Sequence, residues 1–107
     1  MKIGLIGNPN VGKSLIFSHL TGIGVEVSNY PGTTVDILSG VSCINRLPVE
    51  VIDLPGIYSL DGEGDEERLV RDMVLSHSFD VLIVILDAVH LERNLYLFLQ
   101  VLEHRIP

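Results

Sequence analysis

An α/β domain, a mainly parallel sheet flanked by helices, is the fold class this sequence predicts, and three observations predict it. Strand-length apolar runs alternate with stretches of helical period along the chain. The run VLIVIL at 81–86 is apolar enough for a strand covered on both faces, as strands of parallel sheets are. A glycine-bearing turn separates the first strand from the first helix, and α/β sheets bind ligands beyond the carboxyl ends of their strands.

Taken in order, KIGLIG at 2–7 reads as a strand and Lys13–Thr21 as a helix. SNYPGTTVD, residues 28–36, stands between that helix and the second strand as a loop. DILSGVSCI (36–44) and PVEVID (48–53) are two strands, and their short connection near Asn45–Pro48 predicts a hairpin. A loop rich in glycine and acid leads to a helix from about Glu66 to His77, with Leu69, Val70, Met73 and Val74 on one face. DVLIVILD at 80–87 is expected to be a strand buried on both sides. The last helix runs from about Leu91 to Glu103, and its stretch LYLFLQVL has Gln100 as its only polar residue. Such a helix expects cover on two sides. With the far edge of DVLIVILD also expecting a partner, the chain reads as the first half or two-thirds of a domain whose C-terminal part is missing.

Composition narrows the function classes. At 107 residues the chain is one domain at most, and 47% hydrophobic with 20% charged residues excludes a disordered segment. Net charge is −7, with acid concentrated in DGEGDEERLVRD at 61–72, so no nucleic-acid partner is expected. Cys43 is the only cysteine, which excludes an internal disulfide and a cysteine-rich metal site; it reads as a small apolar strand residue in a protein of a reducing compartment. His19, His77, His90 and His104 show no ligand spacing. The start MKIGLIG lacks the apolar core of a signal peptide, and no run approaches the roughly 20 apolar residues that span a bilayer.

Gly7–Ser14 reads GNPNVGKS, a full match to the phosphate-binding loop G-x-x-x-x-G-K-[ST], placed after a strand and at the opening of a helix. Gly7 and Gly12 let the backbone wrap closely, so amide N–H groups and the helix N-terminus surround phosphate oxygens. Lys13 is expected to reach the terminal phosphates, and the Ser14 hydroxyl to meet a magnesium ion.

Asp53 ends an apolar strand in DLPGIYSL, where an acid holds magnesium and the Gly56 amide meets the terminal phosphate. The next residue is Ile57, at a position where many nucleotide switches carry a water-orienting glutamine. Gly62–Glu67 permits movement, so DLPG and the following loop read as a switch. In SNYPGTTVD, Thr34 rather than Thr33 is expected to close over the nucleotide and give magnesium a further oxygen. The full contact set is then Gly7, Asn8, Pro9, Asn10, Val11, Gly12, Lys13 and Ser14, with Gly32, Thr33, Thr34, Val35 and Asp36, and with Asp53, Leu54, Pro55 and Gly56.

GNPNVGKS, NYPGTTVD, DLPGIYSL and LDAVHLERNLYLFLQVLE, in that order, resemble the N-terminal GTPase domain of FeoB-type ferrous iron transporters from about Lys2 to Glu103. The last two motifs are the particular ones. Tyr30, Thr33, Asp36 and His90 depart mildly from the family's usual residues. The resemblance implies a P-loop NTPase fold of the Ras-like GTPase kind, with phosphate loop 7–14, switch I 23–36 and switch II 53–67. It also implies GTP and GDP as ligands, magnesium at Ser14, Thr34 and Asp53, and potassium at Asn10, completed by carbonyls before Thr34. Lys13, Asn10, Thr34 and Gly56 would be the catalytic set, a potassium ion doing what an arginine finger does elsewhere.

The guanine-reading motif lies beyond Pro107, so base specificity rests on the resemblance. The function implied is GTP binding and hydrolysis regulating ferrous iron uptake, at the cytoplasmic face of the cell membrane. Its partners would be a regulatory helical insert and a membrane transport region of the same polypeptide; an oligomer is compatible with this. The alternatives are a soluble ribosome- or tRNA-associated assembly GTPase of the same branch, and a nucleotide-binding switch with incidental hydrolysis.

Overall fold

Lys2–Gly7 forms strand β1 in the computed structural model, which describes residues 1–9, 11–21, 25–30, 32–76 and 78–103. β1 pairs in parallel with β4 (Leu47–Asp53) on one side and β5 (Val81–Ile85) on the other. β3 (Asp36–Ile44) runs antiparallel to β4, and β2 (Glu26–Asn29) antiparallel to β3, giving a five-stranded sheet in the order β2-β3-β4-β1-β5. The sheet is therefore mixed, and its parallel part, β4-β1-β5, carries the phosphate loop. Helix α1 (Lys13–Thr21) follows β1, α2 (Asp65–Leu75) links β4 to β5, and α3 (Leu91–Glu103) follows β5.

Strand periodicity divides the apolar residues between two cores. Ile3 and Leu5 of β1, with Val49 and Val51 of β4, pack on Phe17 of α1. Ile6, Ile52 and Leu54 point to the opposite face, where Leu69, Val70 and Val74 of α2 and Leu97 and Val101 of α3 cover them. α2 uses the predicted face, with Met73 packed at its margin. Asp65, Glu66 and Glu67 fill its first turn, where negative charge meets the positive end of the helix dipole.

The β3–β4 hairpin forms as expected, with Ile44 opposite Leu47. Its two turn residues, Asn45 at φ 52° and Arg46 at φ 65°, take the left-handed conformations that match the twist of the strands.

Two expectations about strands need correction. Residues 26–29 are a strand, so Ser28 and Asn29 belong to β2 rather than to a loop. All four β2 residues are exposed, and without a buried face the segment EVSN has no apolar alternation to announce it. β5, the last strand of the sheet among the described residues, is not buried on both sides: Leu82 and Ile85 are buried, whereas Ile83 is exposed. Cys43 is a residue of strand β3, as expected, and faces solvent. On α3, Asn94, Leu97 and Val101 are buried, while Leu91, Leu95, Tyr96, Leu99 and Leu102 are exposed, leaving without cover among the described residues the second apolar side that the sequence anticipates. His77 and His104 lie outside the described residues.

Among the described residues, Phe17 is the one that α1 contributes to its apolar core cluster. Phe17→Ala is expected to lower stability by about 3–5 kcal/mol through a cavity beneath α1, read as a shift in the urea midpoint at unchanged slope.

Candidate functional site

β1 stops at Gly7 and α1 starts at Lys13, so the phosphate loop occupies the carboxyl end of a sheet strand and opens a helix. Gly12, at φ +91°, takes a backbone conformation that an L side chain rarely adopts. The first N–H groups of α1 have no partner within their own helix and aim their partial positive charge at the loop. Beside this end lies a cavity of about 520 Å³ lined by Asn8, Pro9, Gly12, Lys13, Ser14, Leu15 and Gly56.

The parallel register brings the second motif alongside. Leu5 of β1 pairs with Asp53 of β4, and the Leu54 N–H donates to the Leu5 carbonyl at 3.1 Å. The Ile57 N–H donates to the Gly7 carbonyl at 3.0 Å, so the DLPG turn is tied to the base of the phosphate loop. Gly56 lies so close to Pro9 that a Cβ there would stand 2.8 Å from the Pro9 Cα. Glycine at 56 is a requirement of contact.

Asp53 and Lys13 are both buried, and the Lys13 Nζ donates to Asp53 Oδ1 as an ion pair. The Ser14 hydroxyl donates to Asp53 Oδ2 at 3.5 Å. A cation, a hydroxyl and a carboxylate thus converge at one end of the cavity. Asn8, 2% exposed, has neither its amide nitrogen nor its amide oxygen hydrogen-bonded among the described residues. An unpaired buried amide costs about 1–3 kcal/mol, which marks Asn8 as a polar group held ready beside the loop.

Ile57 has a packing reason for being isoleucine. It is 1% exposed and belongs to the core under α2 and α3, with Leu54, Leu60 and Leu69. A glutamine in the same rotamer would bury an amide in hydrocarbon.

The 28–36 segment is not assembled with these groups. β2 pairs with β3 as far as Asn29 opposite Asp36, and the Tyr30 N–H donates to the Val35 carbonyl. Thr33 braces the turn from within: its hydroxyl donates to the Tyr30 carbonyl at 3.0 Å and accepts from the Val35 N–H at 3.2 Å. Thr34 is exposed and does not line the cavity. Gly32 and Asp36 are exposed, and Val35 packs partly on the core. Leu54 is fully buried in that core, Pro55 is half-buried beside it, and Val11 packs on the opposite one. Asn10, the expected potassium ligand, lies outside the described residues, as do Ile23, Gly24 and Pro31 of the 23–36 segment.

Other residues hold the site without having been singled out for it. The Asn94 amide oxygen accepts from the Asp87 N–H and its nitrogen donates to the His90 carbonyl, fastening the end of β5 to α3. The Leu60 N–H donates to Gln100 and its carbonyl accepts from Arg71. A lone polar residue within the apolar stretch LYLFLQVL was the one signal in the sequence for this second pair.

A parallel-sheet core, a glycine-turned loop before a helix, and a lysine and an aspartate meeting at its mouth define a P-loop NTPase domain. The family model "Ferrous iron transport protein B" matches residues 1–107, and the chain belongs to this family. It is 48% identical over 102 residues to the Fe(2+) transporter FeoB of Methanocaldococcus jannaschii, covering 95% of this chain and 15% of the relative. The figure for the Campylobacter jejuni transporter is 43%, over 95% of this chain and 17% of the relative. The chain thus spans about a sixth of the length of these curated relatives. Among solved structures, the G domain of the T. maritima FeoB iron transporter superposes with a TM-score of 0.94 at 41% identity, over 97% of this chain and 65% of that one. An S. thermophilus NFeoB mutant bound to GDP gives 0.93 at 45% identity, over 100% of this chain and 42% of that one.

Ile57→Gln is expected to lower stability by about 2–4 kcal/mol, since it exchanges apolar burial for an unpaired amide. Equilibrium urea unfolding checks this, and an unchanged midpoint would contradict the core role of Ile57.

Proposed function

We propose that this chain is the GTP-binding and GTP-hydrolysing part of a ferrous iron uptake protein, and that its nucleotide state regulates uptake. The observation that carries the reading is the convergence of Lys13, Ser14 and Asp53 at a helix N-terminus beside a cavity, with the Gly56 backbone packed on Pro9. The GDP-bound S. thermophilus relative, 45% identical, supports a guanine nucleotide as ligand. The cytosolic domain of L. pneumophila FeoB, TM-score 0.90 and 40% identical, supports a place on the cytoplasmic face of the membrane. The remainder of the same polypeptide, with its helical insert and transport region, would be the partner. No helix among the described residues is long and apolar enough to cross a membrane.

In this reading residues 7–14 cradle the phosphates, 23–36 are switch I, and 53–67 are switch II. Lys13 leaves Asp53 for the terminal phosphates, neutralising charge there. Ser14 and Asp53 offer a hydroxyl and a carboxylate oxygen from adjacent elements, a hard-oxygen donor set that fits magnesium. When bound, magnesium held by Ser14 and Asp53 would supply positive charge that offsets the negative charge of the phosphates. Gly56 supplies a backbone donor to the terminal phosphate. Thr34 would be a further oxygen donor from switch I, and since it does not line the cavity while Thr33 braces the Tyr30–Val35 turn, that turn would have to open first. Asn10 would hold potassium, which would supply charge stabilisation that Ile57, committed to the core, does not.

Turnover of GTP by the full polypeptide in potassium and in sodium, with and without Asn10→Ala, tests the reading. Potassium is expected to accelerate the unmodified protein by roughly tenfold or more, and Asn10→Ala to remove that difference. Equal rates in all four conditions would exclude the potassium role. Chelation of magnesium is expected to abolish turnover in both proteins.

A further inference from the structure

The segment after the DLPG turn is held by three residues of α3 at positions 93, 96 and 100, which share one helix face by their spacing. The Arg93 guanidinium lies 5.0 Å from the centre of the Tyr58 ring. The Tyr96 hydroxyl donates to Asp61 Oδ2 at 3.0 Å, and Gln100 Oε1 accepts from the Leu60 N–H at 2.7 Å. From α2, Arg71 Nη1 donates to the Leu60 carbonyl at 2.9 Å and to the Gly62 carbonyl at 3.2 Å. Both backbone groups of Leu60 are thus satisfied by side chains, in a stretch with no ladder or helix of its own. The Leu60 side chain is 4% exposed, so the residue is an anchor at its backbone and its side chain alike.

Three residues earlier, the Ile57 N–H is fixed to Gly7, and immediately before it stands Gly56. A triphosphate requires Lys13 to leave Asp53 and the Gly56 amide to turn towards the terminal phosphate. The Lys13–Asp53 pair is one that binding must open, so the arrangement containing it competes with the triphosphate-bound one. Contacts that hold residues 58–61 in that arrangement add to the competition. The hydrogen bond to Asp61, and then the Asp61 charge, push the Tyr96 phenol up from its ordinary value.

We propose that Gln100 and Tyr96 are positioning residues of the nucleotide switch, through which α3 holds switch II in the state that disfavours a terminal phosphate. The inference rests on the reading of the site as a guanine-nucleotide switch. The stretch LERNLYLFLQVLE thereby acquires a role beyond packing. Through it α3 senses which nucleotide is bound, because release of Leu60 and Asp61 frees two of its side chains. A ligand shifts such an equilibrium only by its difference in affinity for the two states, so the ratio of affinities is the quantity to read.

The test measures binding of GDP and of a nonhydrolysable GTP analogue, with magnesium, to the full polypeptide carrying Gln100→Leu or Tyr96→Phe. Each variant is expected to bind GDP as the unmodified protein does and the analogue about three- to tenfold more tightly, the worth of one hydrogen bond. Tyr96→Phe deletes only an exposed hydroxyl, and so decides the matter if Gln100→Leu fails to fold. An unchanged or lowered preference for the analogue, with normal nucleotide binding by the unmodified protein, would overturn this inference alone. Failure of the unmodified protein to bind either nucleotide would overturn the reading of the site and this inference with it.

Discussion

β1 and β4 lie side by side in parallel with Leu5 opposite Asp53, and that register decides where the chemistry of this domain stands. Parallel pairing sends both strands out of the sheet at the same end. The phosphate loop leaves β1 and the DLPG turn leaves β4 there, close enough for the Lys13–Asp53 ion pair to form across them. A shift of one residue in the register would turn Asp53 to the other face of the sheet. The alternation that buries Val49 and Val51 under α1, and Ile52 and Leu54 under α2 and α3, resists such a slip. Removing one partner of a buried ion pair costs about 3–5 kcal/mol, so opening this one is favourable only for a ligand that replaces both partners at once. In the proposed function a magnesium triphosphate would be such a ligand, offering anionic oxygens to Lys13 and a cation to Asp53.

Much of this was legible in the sequence because the deciding residues are local. GNPNVGKS needs only its own spacing, with a strand before it and a helix after it. The hairpin, the apolar face of α2 and the final helix follow from periodicity. What stayed hidden depends on neighbours far along the chain. β2 exists because β3 offers an edge, and its residues carry no apolar pattern to mark it. VLIVIL reads as a fully covered strand, yet among the described residues nothing covers Ile83. Thr33 and Thr34 are alike in sequence, and only the backbone around Tyr30 and Val35 distinguishes the brace from the exposed neighbour. Gln100 was visible as an exception on an apolar helix, yet its partner, the Leu60 N–H, lies forty positions away.

Ile57 joins the packing to the site. Its side chain belongs to the core beneath switch II while its backbone is tied to the phosphate loop. A residue so placed ties the phosphate loop to the core under α2 and α3, and its apolar side chain has no group with which to orient water. The arrangement differs from one in which a single glutamine reads the terminal phosphate. Leu54, Ile57 and Leu60 lie in the core, and in the proposed function their neighbours Asp53 and Gly56 would serve the chemistry.

The most direct measurement is a crystal structure of the full cytosolic region with magnesium and a nonhydrolysable GTP analogue. The account predicts that Lys13 has left Asp53 for phosphate oxygens, and that Ser14 and Asp53 face the metal with Gly56 turned to the terminal phosphate. A structure in which the nucleotide is bound while Lys13 remains paired with Asp53 would contradict it.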